Sequence, residues 1–489
     1  VVTLNSAALW TDSRYFLAAE KQLKGTEFQL MKLKIEGTPT IPEWIGKECG
    51  AGAEVGIDGW CSSANAVKGL IADLRKEGGI TVRTNLDPLA QIWRSRPVIP
   101  ENPVEIFPMK YAGESAGSKI GRIRQALRKQ HADGMLMSAL DDIAWTLNLR
   151  GTDVHCNPVF VSYLLISSSR VTLYVNKAKL TPEVSAYLAA EGVSVADYGQ
   201  VKEGLKDYFE YNILLDPDEV NYTLYEVVRS KGRQDSVPAT EIIEEESPVK
   251  RMKTVKNDTE IAGFRSAMLK DGIALVKFLC WLSDYIGKPE ISELTEISID
   301  RKLTSLRAEQ PLYRDISFDT IAGYGAHAAI VHYEATPETD IPLQPRGMLL
   351  LDSGAQYLDG TTDVTRTIAL GPLTEEEEKI SWQLQLLGHP KNIHLLNVWR
   401  SQDPNQGDYA TWPLEMSFEG IPKYEETPTM SGKGLPIVLK LDNEHEQTER
   451  DWEGYEELLA AEQERAQSGQ LRPYSIRFAH SGDNECWGT

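Results

Sequence analysis

The segment Leu349-Leu350-Leu351-Asp352-Ser353-Gly354-Ala355-Gln356-Tyr357-Leu358-Asp359-Gly360-Thr361-Thr362-Asp363-Val364-Thr365-Arg366-Thr367 holds two β-rich runs around Asp359-Gly360, a strong hairpin signal. With that pair as a two-residue turn, Asp363 stands opposite Gln356, which shares a face with Asp352, so both carboxylates point to one side. In a regular ladder they are staggered by four residues, about 13 Å at ~3.3 Å per residue. Dinuclear sites hold their ions ~3.5–4 Å apart, so a shared metal site requires a wider loop or a bulge. Asp352 follows three leucines, and an ionised carboxylate at the end of an apolar strand is costly unless it meets a cation or several donors. Turn and capping aspartates fit the same spacing, which leaves both readings open.

Upstream, His332 follows the apolar run Ala328-Ala329-Ile330-Val331. A neutral imidazole there can share a proton near neutral pH, or can be a satisfied core histidine. The region opens with the clearest helix in the chain. Asn257 and Glu260 have capping-box spacing, Ile261, Phe264, Met268, Val276 and Leu279 recur near a helical period, and Gly287 with Pro289 ends the run. Ile316 to Ala322, Met348 to Asp352 and Asp363 to Leu370 read as strands.

The preceding sequence alternates strands with helices, the pattern of layered α/β domains. Val1 to Trp10, Val55 to Asp58 and Ile80 to Arg83 read as strands, with helices over Leu17 to Leu23 and Asn65 to Arg75. The Pro-rich run from Arg96-Pro97 to Pro108 marks a linker. A second unit then offers strands at Gly134 to Met137, Val159 to Ile166, Val171 to Val175 and Asn212 to Leu215. Its helices fall at Ile120 to Gln130, Asp141 to Leu147 and Pro182 to Glu191, with the further segments Lys202 to Tyr208 and Tyr222 to Ser230 left unassigned. A change of charge sign from Glu241–Glu246 to Lys250–Lys256 marks the next boundary.

At 489 residues the chain exceeds one core and implies several domains. Hydrophobic content of 41% with 25% charged residues is that of an ordinary soluble protein, and no apolar run approaches the ~20 residues of a membrane span. A formal charge of -21 lacks the basic footprint of nucleic-acid or anionic-membrane binding. The five cysteines (Cys49, Cys61, Cys156, Cys280, Cys486) are scattered without CxxC spacing. That pattern indicates neither a disulfide framework nor a thiolate zinc site, and it suggests a reducing, cytoplasmic setting.

Across about residues 1 to 375 the chain resembles the Xaa-Pro aminopeptidase (aminopeptidase P) family of creatinase-like metallopeptidases. Ala8 to Phe16, with its Thr11-Asp12-Ser13-Arg14-Tyr15-Phe16, is similar to the family's first-domain signature, and Ile92-Trp93 with Arg96-Pro97 to that domain's end. Asp142-Ile143-Ala144-Trp145, Asn148-Leu149-Arg150-Gly151 and Asn157-Pro158-Val159-Phe160 match the second domain, and Lys253 to Ala267 the first catalytic helix. The resemblance implies an α/β multidomain fold. Two creatinase-like α/β domains (1–100, its start missing, and 101–248) precede a partial pita-bread α+β catalytic domain (249–380) and a tail (381–489) without family motifs. It implies removal of the N-terminal residue from short peptides with proline second, by a metal-activated hydroxide. Two divalent ions, typically Mn²⁺, would be held by Asp352, Asp363, one histidine and two glutamates, with His332 contacting substrate; a homodimer is expected.

The family's His-Gly-x-Gly-His, Asp-Glu-Pro-Gly and Ile-Arg-x-Glu are absent after Gly371-Pro372. Ser475-Ile476-Arg477-Phe478-Ala479 is faintly similar to the last, with Ala479 at the glutamate position, and His389, His394, His445 and His480 lack matching neighbours. The remaining His and two Glu ligands therefore stay unassigned. His327-Ala328 also replaces the family's Asn-Gly or Asn-Ala. The expectation is a fragment, or a frame change in the gene, near residue 380. A chain that has lost ligands would serve instead as a non-catalytic pita-bread peptide- or protein-binding module. Creatinase and proline dipeptidase share the fold, but the first-domain and Asn157–Phe160 matches favour aminopeptidase P.

Overall fold

A computed structural model describes residues 1–208, 210–231, 240–374, 398–400 and 437–439. The four tail histidines and Ser475–Ala479 lie outside the described residues.

The first unit comprises β1 (Ala7–Thr11), α1 (Phe16–Leu23), β2 (Phe28–Lys32), α2 (Ile41–Cys49), β3 (Glu54–Gly56), α3 (Ala64–Lys76) and β4 (Thr81–Arg83). β1 pairs in parallel with β2, and β3 with β4. The expected first strand is shortened because Thr3 and Ser6 close a turn that bridges Val2 back to Ala7. β2 and α2 escaped the sequence reading, although α2 begins with a capping box of Thr40 and Glu43 around Pro42.

The second unit runs β5 (Glu105–Ile106), α4 (Met109–Ala112), α5 (Ala116–Lys129), β6 (Gly134–Met137), α6 (Leu140–Leu147), β7 (Leu149–Arg150), β8 (Ser162–Ile166), β9 (Val171–Val175), α7 (Pro182–Ala190), β10 (Ser194–Ala196), α8 (Val201–Lys206), β11 (Asn212–Leu214), α9 (Tyr222–Lys231) and β12 (Glu241–Ile243). Six strands form one sheet in the order β10-β9-β8-β6-β11-β12. β8 runs antiparallel to both neighbours and the other pairs are parallel. Every residue of β6 is buried because both faces are covered. Met135 and Met137 join Ile123 and Leu127 of α5 on one side. Leu136 joins Leu224 and Val228 of α9 on the other, where Ala64 and Val67 of α3 also pack, so the first unit docks on the second unit's sheet.

The third unit starts with α10 (Pro248–Thr254), α11 (Asp258–Ser283) and α12 (Glu296–Ala308), followed by β13 (Tyr313–Ile316), β14 (Ile321–Tyr324), β15 (Met348–Ser353), β16 (Ala355–Tyr357), β17 (Gly360–Thr361) and β18 (Val364–Ala369). β14-β15-β18 and β13-β16-β17 are two antiparallel sheets. The expected strand over 316–322 is split between them. Ser317 breaks it, its amide donating to the Gly354 carbonyl and its hydroxyl to the Thr362 carbonyl at 2.8 Å.

The capping box of Asn257 and Glu260 forms as read, but α11 buries a different stripe from the expected one. Met268 and Val276 are exposed, whereas Ala267, Lys270, Asp271, Ala274, Leu275, Phe278 and Leu282 are buried. Ion pairing draws the charged residues inward. Lys270 meets Asp359 at 2.5 Å, and Asp271 meets Arg307 of α12. The core against α11 is completed by Ile299 and Leu303 of α12 and by Leu349 and Leu351 of β15.

Candidate functional site

β15 alternates. Leu349, Leu351 and Ser353 are buried toward the helices, while Met348, Leu350 and Asp352 lie half-buried on the opposite face. Asp352 therefore ends a half-buried strand and looks onto the open side of the sheet.

The hairpin register brings Asp363 to it. Tyr357 pairs with Gly360, Gln356 with Thr361, Ser353 with Val364 and Asp352 with Thr365. The turn is thus Leu358-Asp359, one residue earlier than the expected Asp359-Gly360. Gly360 is spent on close approach: a Cβ there would lie 2.9 Å from Ala267 Cβ and 3.2 Å from Phe264 Cα of α11. Asp359 is held by Lys270. This one-residue offset moves the ladder by two, so Asp363 opposes Gly354 instead of Gln356. The aspartates keep their common face and are staggered by two residues instead of four. No bulge is required.

The two carboxyl groups lie within hydrogen-bond reach of each other. Partial burial, followed by the Asp352 charge, pushes the Asp363 carboxyl up to about 6, and the Arg307 guanidinium opposes that rise. Thr365 donates its hydroxyl to Asp352 Oδ1 at 2.7 Å. Gly354 sits where a Cβ would lie 2.0 Å from the Thr362 carbonyl oxygen and 2.1 Å from Ser317 Oγ, so the chain between the aspartates admits no side chain. Arg307 fixes it from behind, placing Nη1 3.4 Å from the Gly354 carbonyl while Nε and Nη2 grip Asp271 at 2.7 and 3.0 Å.

His332 is exposed, which removes the core-histidine reading, and its φ is +56°. Side chains rarely adopt that left-handed backbone, and such strain gathers at functional sites. Its Nδ1 shares a hydrogen bond with the Tyr15 hydroxyl at 2.8 Å. The segment Thr11–Phe16 of the first unit thereby reaches the third. The structure thus joins Asp352 to Asp363, while the described ring partner of His332 is Tyr15.

Sequence reasoning missed Glu296, the anchor of the loop that carries His332. Its carboxylate is fully buried at the start of α12. It accepts hydrogen bonds from the Tyr324 amide at 2.8 Å and the Tyr333 hydroxyl at 2.9 Å, and it meets His327 Nδ1 at 2.9 Å. The His327 that departs from the family pattern is therefore a loop anchor, stacked on Tyr333 with ring centroids 4.5 Å apart. Glu296→Ala strands the Tyr324 amide and His327 Nδ1, while the Tyr333 hydroxyl keeps Thr339 Oγ1 at 3.1 Å, and is expected to cost about 2–4 kcal/mol, at ~1–3 kcal/mol per unsatisfied group. Guanidinium denaturation would register it, and an unchanged midpoint would refute the anchor.

A cavity of about 550 Å³ opens between the second and third units, lined in part by Trp145, Arg150, Lys253, Glu260, Gln356 and Tyr357. Neither aspartate lines it. Among the described residues no helix is long and apolar enough to cross a membrane.

Comparison with known proteins agrees with this architecture. Residues 95–260 match the Creatinase/Prolidase N-terminal domain, and residues 262–396 match Metallopeptidase family M24. A probable Xaa-Pro aminopeptidase P of Botryotinia fuckeliana is 37% identical over 394 residues, 80% of this chain and 59% of the relative. Aminopeptidase P2 of Arabidopsis thaliana is 35% identical over 414 residues, 80% of this chain and 58% of the relative. The crystal structure of an X-prolyl aminopeptidase from Caenorhabditis elegans, described as a cytosolic enzyme with a di-nuclear active site, superposes with a TM-score of 0.70 at 30% identity. That match covers 77% of this chain and 60% of the other. The chain spans about three-fifths of the length of the relatives it matches.

Proposed function

We propose, for a chain that belongs to the M24 metallopeptidase family with a creatinase/prolidase N-terminal domain, that it is an aminopeptidase releasing the first residue of short peptides whose second residue is proline. The observation that carries this reading is the pairing of Asp352 with Asp363 on one sheet face. Two carboxylates held against each other are poorly matched unless a proton or a cation lies between them. The donors that the two aspartates supply are oxygens, which suit a hard divalent ion such as Mn²⁺.

Asp352 and Asp363 would hold two divalent ions, which when bound supply an activated water and polarise the scissile carbonyl. Thr365 orients Asp352, and Gly354 keeps the strand narrow enough for the two carboxylates to converge. His332 is assigned the substrate contact, donating a hydrogen bond to the oxygen on which charge develops. One further histidine and two glutamates complete the family's ligand set and have no assigned position here. The domain division is 1–100, 101–248 and 249–380, and the working state is a cytoplasmic homodimer.

The test follows release of free arginine from an Arg-Pro-Pro peptide by the folded chain with Mn²⁺. Cleavage that is abolished by chelation supports the proposal. Peptide binding without hydrolysis, indifferent to chelator, would replace it with a binding module.

A further inference from the structure

His155, Cys156 and Asp319 lie outside the aspartate pair, and their Nε2, Sγ and carboxylate oxygen all fall within 4.8 Å of one another. His155 and Cys156 are the two central residues of a tight turn closed by the Asn157 amide on the Val154 carbonyl at 3.1 Å. Asp319 comes from the connection between β13 and β14, so the cluster joins the second unit to the third. The geometry points to a second metal site, in which the His155-Cys156 turn and Asp319 bind one thiophilic divalent cation of the Zn²⁺ class.

Three further observations support it. Cys156 has a φ of +59°, a strained choice at a turn position that glycine or asparagine fills more easily, and the strain aims the thiol at the cluster. The turn is held rigidly. Asp153 forms a fully buried ion pair with Lys179 and accepts the Val161 amide at 2.6 Å, and Gln356 donates its side-chain amide to the Cys156 carbonyl at 3.1 Å. The surroundings are acidic, with Asp315 and Glu334 near Asp319 around the thiol, a setting that favours a cation.

His155 Nε2 now sits 2.8 Å from Asp319 Oδ1. Tetrahedral ligand atoms stand about 3.5 Å apart for bonds of ~2.0–2.3 Å, so the hydrogen bond opens slightly and the thiol closes in. Binding displaces the Cys156 proton to solvent, requires a lone pair on His155 Nε2, and leaves a fourth position for water. The sequence carries no hint of this because the third ligand is remote in the chain and the cysteine has no CxxC partner.

Cobalt(II) added to the chelator-treated chain tests the site, because a thiolate ligand produces a near-ultraviolet charge-transfer band that an all-oxygen and imidazole site cannot. In the Asp352→Asn/Asp363→Asn background, which lacks the competing site, one equivalent is expected to saturate the band. Cys156→Ser is expected to abolish it, Asp319→Asn to weaken cobalt binding at least about tenfold, and the Asp352→Asn/Asp363→Asn pair to leave it intact. That last variant separates this site from the proposed catalytic one, so either can fail alone. Absence of the band in the parent chain, its survival in Cys156→Ser or its loss in the double aspartate variant would overturn the inference. Circular dichroism of each variant keeps misfolding distinguishable from ligand loss.

Discussion

Arg307→Ala is expected to destabilise the chain by about 3–5 kcal/mol, the usual loss when one partner of a buried ion pair is removed. Arg307 and Asp271 are both fully buried and joined by two hydrogen bonds. After truncation Asp271 keeps, among the described residues, the Tyr357 hydroxyl at 3.3 Å, a weak partner for a carboxylate cut off from water. The Gly354 carbonyl loses its guanidinium contact, which loosens the strand between Asp352 and Asp363. For a unit of this size the loss corresponds to a Tm lower by roughly 10 °C. Combining Arg307→Met with Asp271→Leu should recover much of it, since an apolar pair bears no desolvation cost. A thermal scan that moves Arg307→Ala by less than about 2 °C would show that the pair is not what holds the two helices to the strand.

The second large effect has opposite signs in activity and stability. Asp352→Asn and Asp363→Asn should each reduce kcat/KM by at least about two to three orders of magnitude, because metal polarisation contributes several kcal/mol at ~1.4 kcal/mol per decade. In chelator, Asp363→Asn should instead raise Tm. The folded-state carboxyl is raised to about 6 from an ordinary value of 3.8, so the native chain binds the extra proton between those values and loses stability as pH rises through that window. The penalty is complete above about pH 6 and absent below about pH 4. The Tm difference between Asp363→Asn and the parent should follow that profile. An aspartate that merely caps a turn would lose stability on substitution at neutral pH, the reverse outcome.

Much of the frame was legible because it depends on neighbours in sequence. β6 and β9 match their expected spans residue for residue, as short runs rich in apolar residues and bounded by turns permit. The capping box at Asn257 depends on residues three apart and forms as read. The stripe that α11 buries was misread because periodicity ranks residues by hydrophobicity, and it cannot see Arg307 and Asp359 waiting to neutralise Asp271 and Lys270. Glu296 gave no local signal, since its three donors lie 28 to 37 residues away. In the same way, cysteine spacing excludes a CxxC site but is silent about a histidine neighbour paired with a remote aspartate.

The sequence by itself determined that this chain alternates strands and helices before a β-rich segment, and that Asp352 and Asp363 share a face. Side-chain direction has period two, and any even shift of the hairpin preserves it. Only the tertiary structure decided how far apart the aspartates stand. The register was settled by Gly360 fitting under α11 and by Lys270 holding Asp359, contacts whose partners are some ninety residues away. Local propensity proposed the Asp359-Gly360 turn, and packing against a helix made much earlier in the chain moved it by one residue.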